Sequence, residues 1–342
     1  MKQISIKSLK RFALIPIAIV VILAIVFGSW SYLNSQKPYA GKVESITIGT
    51  VPLELATLIY IAEGQHFFAR NGLNITIRDY NSALTAVYGM ENDEADISVS
   101  TEYPIVGEAF KKENISVIGS IDKYQTTYLA GRKDRGIENI SDLKGKKIGL
   151  TRGGIGDFYL GRFLNLHGMS LQDVTLVDIK LAQLMDALTN GSVDAVMVWS
   201  IDVNTVEERL GSNIVIWPAQ NEQAAYSVIA SRDEWIYSHP EAINRFLRSI
   251  DQAEQYTINH PADAKAIVQK RINHDDAYMA TIWPKHQYSL LLDQSLIIAM
   301  EDEGRWMINN NLTTEKTIPN FRNYIYTKGL EEVKPESVNI IR

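Results

Sequence analysis

Met90–Val99 (MENDEADISV) and Leu188–Met197 (LTNGSVDAVM) share one form: a helix end, a polar turn, a small residue, an aspartate and an apolar strand. Asp96 and Asp194 hold the matching place. Each copy follows a helix, and further back a strand that starts after a glycine turn, Asn71-Gly72 in one and His167-Gly168 in the other. A unit that occurs once per half, each time with its own strand and helix, predicts two similar lobes.

Working outward, Ile- and Val-rich runs alternate with helical ones. Ser45–Gly49, Asn74–Asp79, Asp96–Ser100 and Ile115–Ile121 read as strands, separated by helices at Ala56–Arg70, Ala83–Asn92 and Pro104–Lys112. The pattern resumes with strands Lys146–Leu150, Val174–Ile179, Asp194–Trp199 and Asn213–Trp217, and helices Gly156–His167, Leu181–Thr189 and Ile201–Leu210. This order predicts an α/β protein of parallel sheets flanked by helices. Tyr226–Ser231 is expected to return to the first sheet, with crossings near Ala130–Lys133 and Trp217–Gln220. From Arg232 on the chain reads as nearly all helix, with prolines opening Pro240–Asn259 and Pro261–Lys270 and an amphipathic run at Asp293–Asn309. The expected division is residues 44–130 with 220–305 as lobe 1 and 131–219 as lobe 2. Residues 306–342 form a C-terminal helical segment that packs on the lobes.

Ahead of these lobes, Phe12 to Gln36 carry no charge and follow Lys2, Lys7, Lys10 and Arg11. A basic cap and a long apolar run send the remaining chain outside the cytoplasmic membrane. Two readings of residues 1–36 stand: a cleaved signal peptide with Ser29 and Ser31 at the cut, or an uncleaved anchor with Trp30 and Tyr32 at the interface. Residues 37–43, with Pro38 and Gly41, form a polar linker. Five Asn-x-Ser/Thr triplets (Asn74, Asn114, Asn139, Asn190, Asn311) are compatible with export.

The net charge is −6, although four positive charges precede the apolar run, so the exported body is more acidic still. That argues against nucleic acid as a partner. Cysteine is absent, which rules out a disulfide framework, a thiolate metal site, a cysteine nucleophile and a lipidated cysteine.

Ligands of open parallel sheets bind outside the carboxyl ends of the strands. Those ends are Thr50-Val51-Pro52, Tyr80-Asn81-Ser82, Ser100-Thr101-Glu102-Tyr103, Thr151–Asp157 and Trp199-Ser200-Ile201-Asp202, placed on two lips of one cleft. Thr151-Arg152-Gly153-Gly154-Ile155-Gly156-Asp157 follows a strand and opens a helix. Its free N–H groups suit an anion, but the same turn also serves as a plain strand-to-helix connection. Glu102 and Asp202, at matching places after the repeated strands, are placed to hold a cation; the competing reading makes each a helix cap. Tyr103 and Trp199 offer flat apolar walls or core packing. Catalysis finds little support: the six histidines are scattered, and neither HExxH nor Gly-x-Ser-x-Gly occurs.

Five segments carry a resemblance: "SITIGTVPLELATLIYIAEGQHFFARNGLNITI", "ALTAVYGMENDEADISV", "ISDLKGKKIGLTRGGIGDFYLGRFL", "DALTNGSVDAVMVW" and "HPEAINRFLRSIDQAEQYTINHPADA". Together with the ending "LDQSLIIAMEDEGRWMINNNL … VKPESVNII", they resemble solute-binding proteins of ABC importers in the nitrate/sulfonate/taurine group, related to those for thiamine pyrimidines. The resemblance runs in order over Glu44 to Ile341.

What it implies is a type II periplasmic-binding fold: two α/β lobes that close on a small solute, as a monomer without a cofactor, and pass it to permease subunits in the membrane. The ligand-binding set is then Pro52, Glu54, Asn81, Ser82, Thr101, Glu102, Tyr103, Gln125, Arg152, Gly153, Gly154, Asp157, Trp199 and Asp202. An anion site at Gly153–Asp157 facing Glu102 and Asp202 suits a zwitterion such as taurine; nitrate or a thiamine-type pyrimidine are the alternatives. Two departures matter. The cysteine of lipoprotein members is missing, and so is the cysteine-rich motif of the related pyrimidine-synthesising enzymes, which weighs against an extracytoplasmic enzyme using the same cleft.

Overall fold

The computed structural model describes residues 39–220 and 223–341. The expectations for residues 1–36, and for the start of the 37–43 linker, lie outside the described residues. Among the described residues, no helix is long and apolar enough to cross a membrane.

Twelve strands lie among the described residues: β1 Glu44–Thr50, β2 Leu73–Asp79, β3 Ile97–Thr101, β4 Ile115–Tyr124, β5 Thr127–Arg132, β6 Lys147–Leu150, β7 Thr175–Asp178, β8 Ala195–Trp199, β9 Ile214–Pro218, β10 Ala225–Arg232, β11 His286–Asp293 and β12 Val338–Asn339. They form two sheets, ordered β12-β11-β4-β10-β3-β1-β2 and β7-β6-β8-β5-β9. The chain passes from the first sheet to the second between Tyr124 and Thr127, and returns between Pro218 and Ala225. The first crossing therefore precedes the Ala130–Lys133 position expected from sequence. Thr127–Arg132 is itself a strand of the second sheet.

The two sheets repeat one design. β1 pairs in parallel with β2 and β3, as β6 does with β7 and β8. β10 is antiparallel to β3 and β4, as β5 is to β8 and β9. The sheets are thus mixed rather than wholly parallel, because β5 and β10 enter straight from the other lobe without a helical crossover and so run reversed. Asp96 donates its N–H to Thr47 C=O at 2.9 Å and accepts Thr47 N–H at 2.7 Å. Asp194 does the same with Lys147, at 2.9 Å in both directions. Gly72 and Gly168, which open the preceding strand segments, both have φ of 72°, a left-handed turn that favours glycine.

β3 is buried along its whole length, and β8 nearly so. Ile97, Val99, Val196 and Val198 are each 0 % exposed; burial of such side chains contributes about 1.5–3 kcal/mol apiece. These central strands fix the height of their carboxyl ends. The third part differs from expectation at β11, which extends the first sheet antiparallel to β4. Leu290 and Leu292 alternate into the core there, a period of two that leucine's helical propensity conceals. The helix expected at Ala56–Arg70 is broken: His66 takes φ 56° between Thr57–Gly64 and Phe67–Arg70.

Candidate functional site

Between the sheets, the strand ends meet in two adjoining cavities of about 80 and 190 Å3. Leu53, Leu55, Tyr124, Leu181 and Trp199 line both, so they form one cleft. At its narrower end lie Ser82 and Ala83, which open the helix Ala83–Glu91, and Gly154–Gly156, which open the helix Ile155–Leu166. The first N–H groups of a helix have no acceptor within it and carry the positive end of its dipole. Thr101 completes this end. It is 4 % exposed, and its hydroxyl has no hydrogen-bond partner.

The wider end is acidic. Glu54 is 7 % exposed with Oε1 unpartnered, and burial raises its carboxyl pKa despite the pull of His286. Asp202 accepts the Trp199 N–H at 3.3 Å, and burial pushes its pKa up to about 6. His286 lines the same end; its Nδ1 stands 2.5 Å from Asp122 Oδ2, and its ring stacks between Tyr124 and Tyr288. Burial works against the imidazolium, but the Asp122 carboxylate outweighs it and raises the histidine's pKa. The buried Nε2 has no partner. Among the described residues, no group of three or more His, Cys, Asp or Glu is placed to hold a metal ion.

The expected ligand set is divided. Ser82, Thr101, Gly154 and Trp199 line the narrow end, and Glu54, Trp199 and Asp202 the wide one. Pro52, Asn81 and Gln125 sit at the strand ends without lining either cavity. Tyr103, Arg152, Gly153 and Asp157 line a different groove of about 520 Å3, beside Tyr88 and Lys111. There the turn satisfies itself: Asp157 accepts Gly153 N–H at 2.6 Å and pairs with Arg152 Nε at 2.7 Å, while Arg152 N–H donates to Asp178 at 3.1 Å. Of the N–H groups expected to hold an anion, those of Arg152 and Gly153 are taken by the chain's own carboxylates, while Gly154–Gly156 line the cleft.

Glu102 is placed furthest from expectation. It is 0 % exposed, and both carboxyl oxygens accept Tyr226 N–H at 3.1 Å. Thr101 is the N-cap of Glu102–Lys111, so the first helical turn swings Glu102 inward instead of over the lip. It meets Glu303 of the helix Gln294–Asn309, also 0 % exposed. Burial pushes Glu102 up to about 8, and burial with Glu102 beside it raises Glu303 well above the carboxylate range. The pair keeps a proton at neutral pH.

A sequence profile described as NMT1/THI5 like matches residues 56–264, more than half of the chain. The chain belongs to the NMT1/THI5-like family. A Bacillus subtilis relative named for aliphatic sulfonate binding is 24 % identical over 260 residues, 75 % of this chain and 76 % of the relative. An Aspergillus parasiticus relative, 4-amino-5-hydroxymethyl-2-methylpyrimidine phosphate synthase, is 23 % identical over 60 % of this chain and 64 % of its own. Among solved structures, the alkanesulfonate-binding protein of Xanthomonas axonopodis pv. citri, bound to MOPS, superposes with a TM-score of 0.71. It is 14 % identical and covers 84 % of this chain and 100 % of its own, a likeness that shows the periplasmic-binding fold.

In this NMT1/THI5-like chain several site residues escape the sequence reading. Gln220, 6 % exposed, joins both crossings: its Oε1 accepts Thr126 N–H at 3.0 Å and its amide donates to Tyr124 C=O at 2.7 Å. Lys285 spans the lobes, donating to Ser200 Oγ at 3.0 Å and Tyr128 hydroxyl at 3.2 Å. Asp122 and His286 lie on neighbouring strands, β4 and β11, a proximity with no sequence signature because one of those strands goes unrecognised.

Proposed function

We propose that this chain is the extracytoplasmic solute-binding protein of an ABC importer, which captures a small taurine-like aminosulfonate and delivers it unaltered to a membrane permease. The division of charge along the cleft carries this reading. Helix N-termini and the unpartnered Thr101 hydroxyl at the narrow end are donors for sulfonate oxygens. Glu54 and Asp202 at the wide end are acceptors for an ammonium. Leu53, Leu55 and Trp199 wrap the short alkyl link between them. Nitrate or a plain alkanesulfonate leaves Glu54 without a partner, which costs affinity.

The family membership, the sulfonate-binding relative and the fold support a binding role. The apolar run of residues 12–36 supports a place outside the cytoplasmic membrane. A second reading, a thiamine-type aminopyrimidine, is favoured by the aromatic walls: Tyr124 and Trp199 both line the cleft, and a flat ring would lie against them with its amino group on Glu54.

Native purification of the chain, followed by denaturing release and mass spectrometry, identifies whatever solute it carries. A thermal-shift panel of taurine, ethanesulfonate, nitrate and an aminopyrimidine then ranks the classes, with Tm rising with the logarithm of ligand concentration. Taurine should give the largest shift. No shift with any of the four removes the proposed class, and recovery of a chemically changed solute after incubation replaces transport by catalysis.

A further inference from the structure

The wide end of the cleft holds an imidazole that the taurine-like reading leaves unused. His286 opens β11 opposite Tyr124 of β4, and its side chain is 4 % exposed. Its Nδ1 faces Asp122 Oδ2, and the rings of Tyr124 and Tyr288 stack on it with centroids 5.2 and 5.4 Å away. A carboxylate on Nδ1 keeps the proton there, so the neutral ring offers a lone pair at Nε2.

Nε2 is buried without a hydrogen-bond partner, and so is Glu54 Oε1; both residues line the same cavity. Asp202 uses Oδ2 to accept the Trp199 N–H, and its other oxygen makes no hydrogen bond among the described residues. Three acceptors thus come from three elements: the short helix Glu54–Ala56, β11, and the helix Ser200–Leu210 of the other lobe. A primary ammonium has three N–H donors. Buried acceptors left unmatched gain most from a charged donor.

The charges around His286 are mixed. Asp122 and Glu54 draw a proton to the ring, while burial and Lys285 oppose it. Asp202 lines the same cavity from the second lobe, and Lys285 is turned to Ser200 Oγ and the Tyr128 hydroxyl. The Asp122 carboxylate prevails, so the ring holds its proton more firmly than free imidazole does. An ammonium and an imidazolium repel each other at such a distance, so one displaces the other's charge.

We propose that His286, oriented by Asp122, is a specificity-determining residue of the cleft: Nε2 joins Glu54 and Asp202 as the third acceptor for a primary ammonium, which enters as the imidazolium gives its Nε2 proton to water. The inference rests on the taurine-like reading above. It adds that the site selects against N-methylated aminosulfonates and takes up its solute with release of a proton.

The test is isothermal titration of the full chain near pH 7 with taurine, N-methyltaurine and ethanesulfonate. Two buffers of different ionisation enthalpy count the protons released. The titrations are repeated on His286→Asn, whose amide can still donate to Asp122 while Nε2 is deleted. They are repeated also on Asp122→Asn, which keeps the ring but removes the charge that fixes its proton. In the parent chain taurine should bind about tenfold tighter than N-methyltaurine and release protons that ethanesulfonate does not. In His286→Asn taurine should weaken about tenfold, to the level of N-methyltaurine, with no proton released. Asp122→Asn should weaken taurine and abolish proton release with the imidazole still in place, which a change of cavity shape does not explain. Taurine binding without proton release, release that persists in His286→Asn, or methyl discrimination that survives both variants overturns the role of His286 and leaves the taurine-like reading standing. Binding of ethanesulfonate but not taurine, or of none of the three, overturns that reading and this inference with it.

Discussion

Gln220 accepts the backbone N–H of Thr126 at 3.0 Å, so the return crossing between the lobes is fastened to the outgoing one. The same side chain donates to the Tyr124 carbonyl at 2.7 Å and the Tyr159 hydroxyl at 3.1 Å. One amide thus satisfies backbone groups on both sides of Gln125 and holds the two connections as a single pivot. Gln220→Leu leaves those buried groups unmatched and should cost about 1–3 kcal/mol. Urea unfolding measures it, and an unchanged midpoint would show that the clasp adds nothing.

Glu54→Gln separates the ligand classes. Loss of the charge-assisted contact weakens taurine by about tenfold or more while sparing ethanesulfonate, which has no ammonium to lose. Titration calorimetry reads both constants. Equal losses for the two ligands would move the ammonium away from Glu54.

Arg152→Ala tests the placement of the glycine turn. Arg152 is paired with Asp157 on the flanking groove rather than in the cleft. Stability should fall by about 1 kcal/mol, a modest figure because the arginine is partly solvated, and taurine affinity should stay as it was. A large loss of affinity would bring the guanidinium back into the ligand site.

The Glu102–Glu303 pair sets a pH dependence of stability. Burial raises both carboxyl pKa values from the ordinary 4.5, Glu102 to about 8 and Glu303 well above 4.5. The folded state therefore holds protons that the unfolded chain releases. The contribution is fully present below pH 4.5 and is lost as pH rises through about 8. Glu303→Gln should flatten that decline and raise Tm at pH 8 relative to the parent chain. Parallel Tm profiles from pH 5 to 9 would refute a shared proton.

Much of the lobe design is legible because it is local. Asp96 and Asp194 each close a turn and bind the adjoining strand within their own lobe, so their short sequence frame carries the information. The mixed direction of the sheets is not legible, since it arises from where β5 and β10 land after crossing. His286 escapes notice because β11 has leucine-rich composition and finds its partner β4 across more than 160 residues. The inward Glu102 is held by the Tyr226 N–H, itself remote in sequence, and no local pattern tells an outward first-turn acid from an inward one. Gln220 lies at the edge of the expected crossing, yet its amide contacts are tertiary.

Lys285 links the halves through two hydroxyl groups, Ser200 and Tyr128. Prising the halves apart would hand this ammonium to water, whose hydrogen bonds replace those hydroxyls at a net cost of only about 1 kcal/mol. Away from the mouth the halves are joined more firmly, by the Arg162–Asp302 ion pair at 2.7 Å and by Phe158 against Trp306, so at the mouth itself a guest that touches both jaws has only a light tie to outweigh.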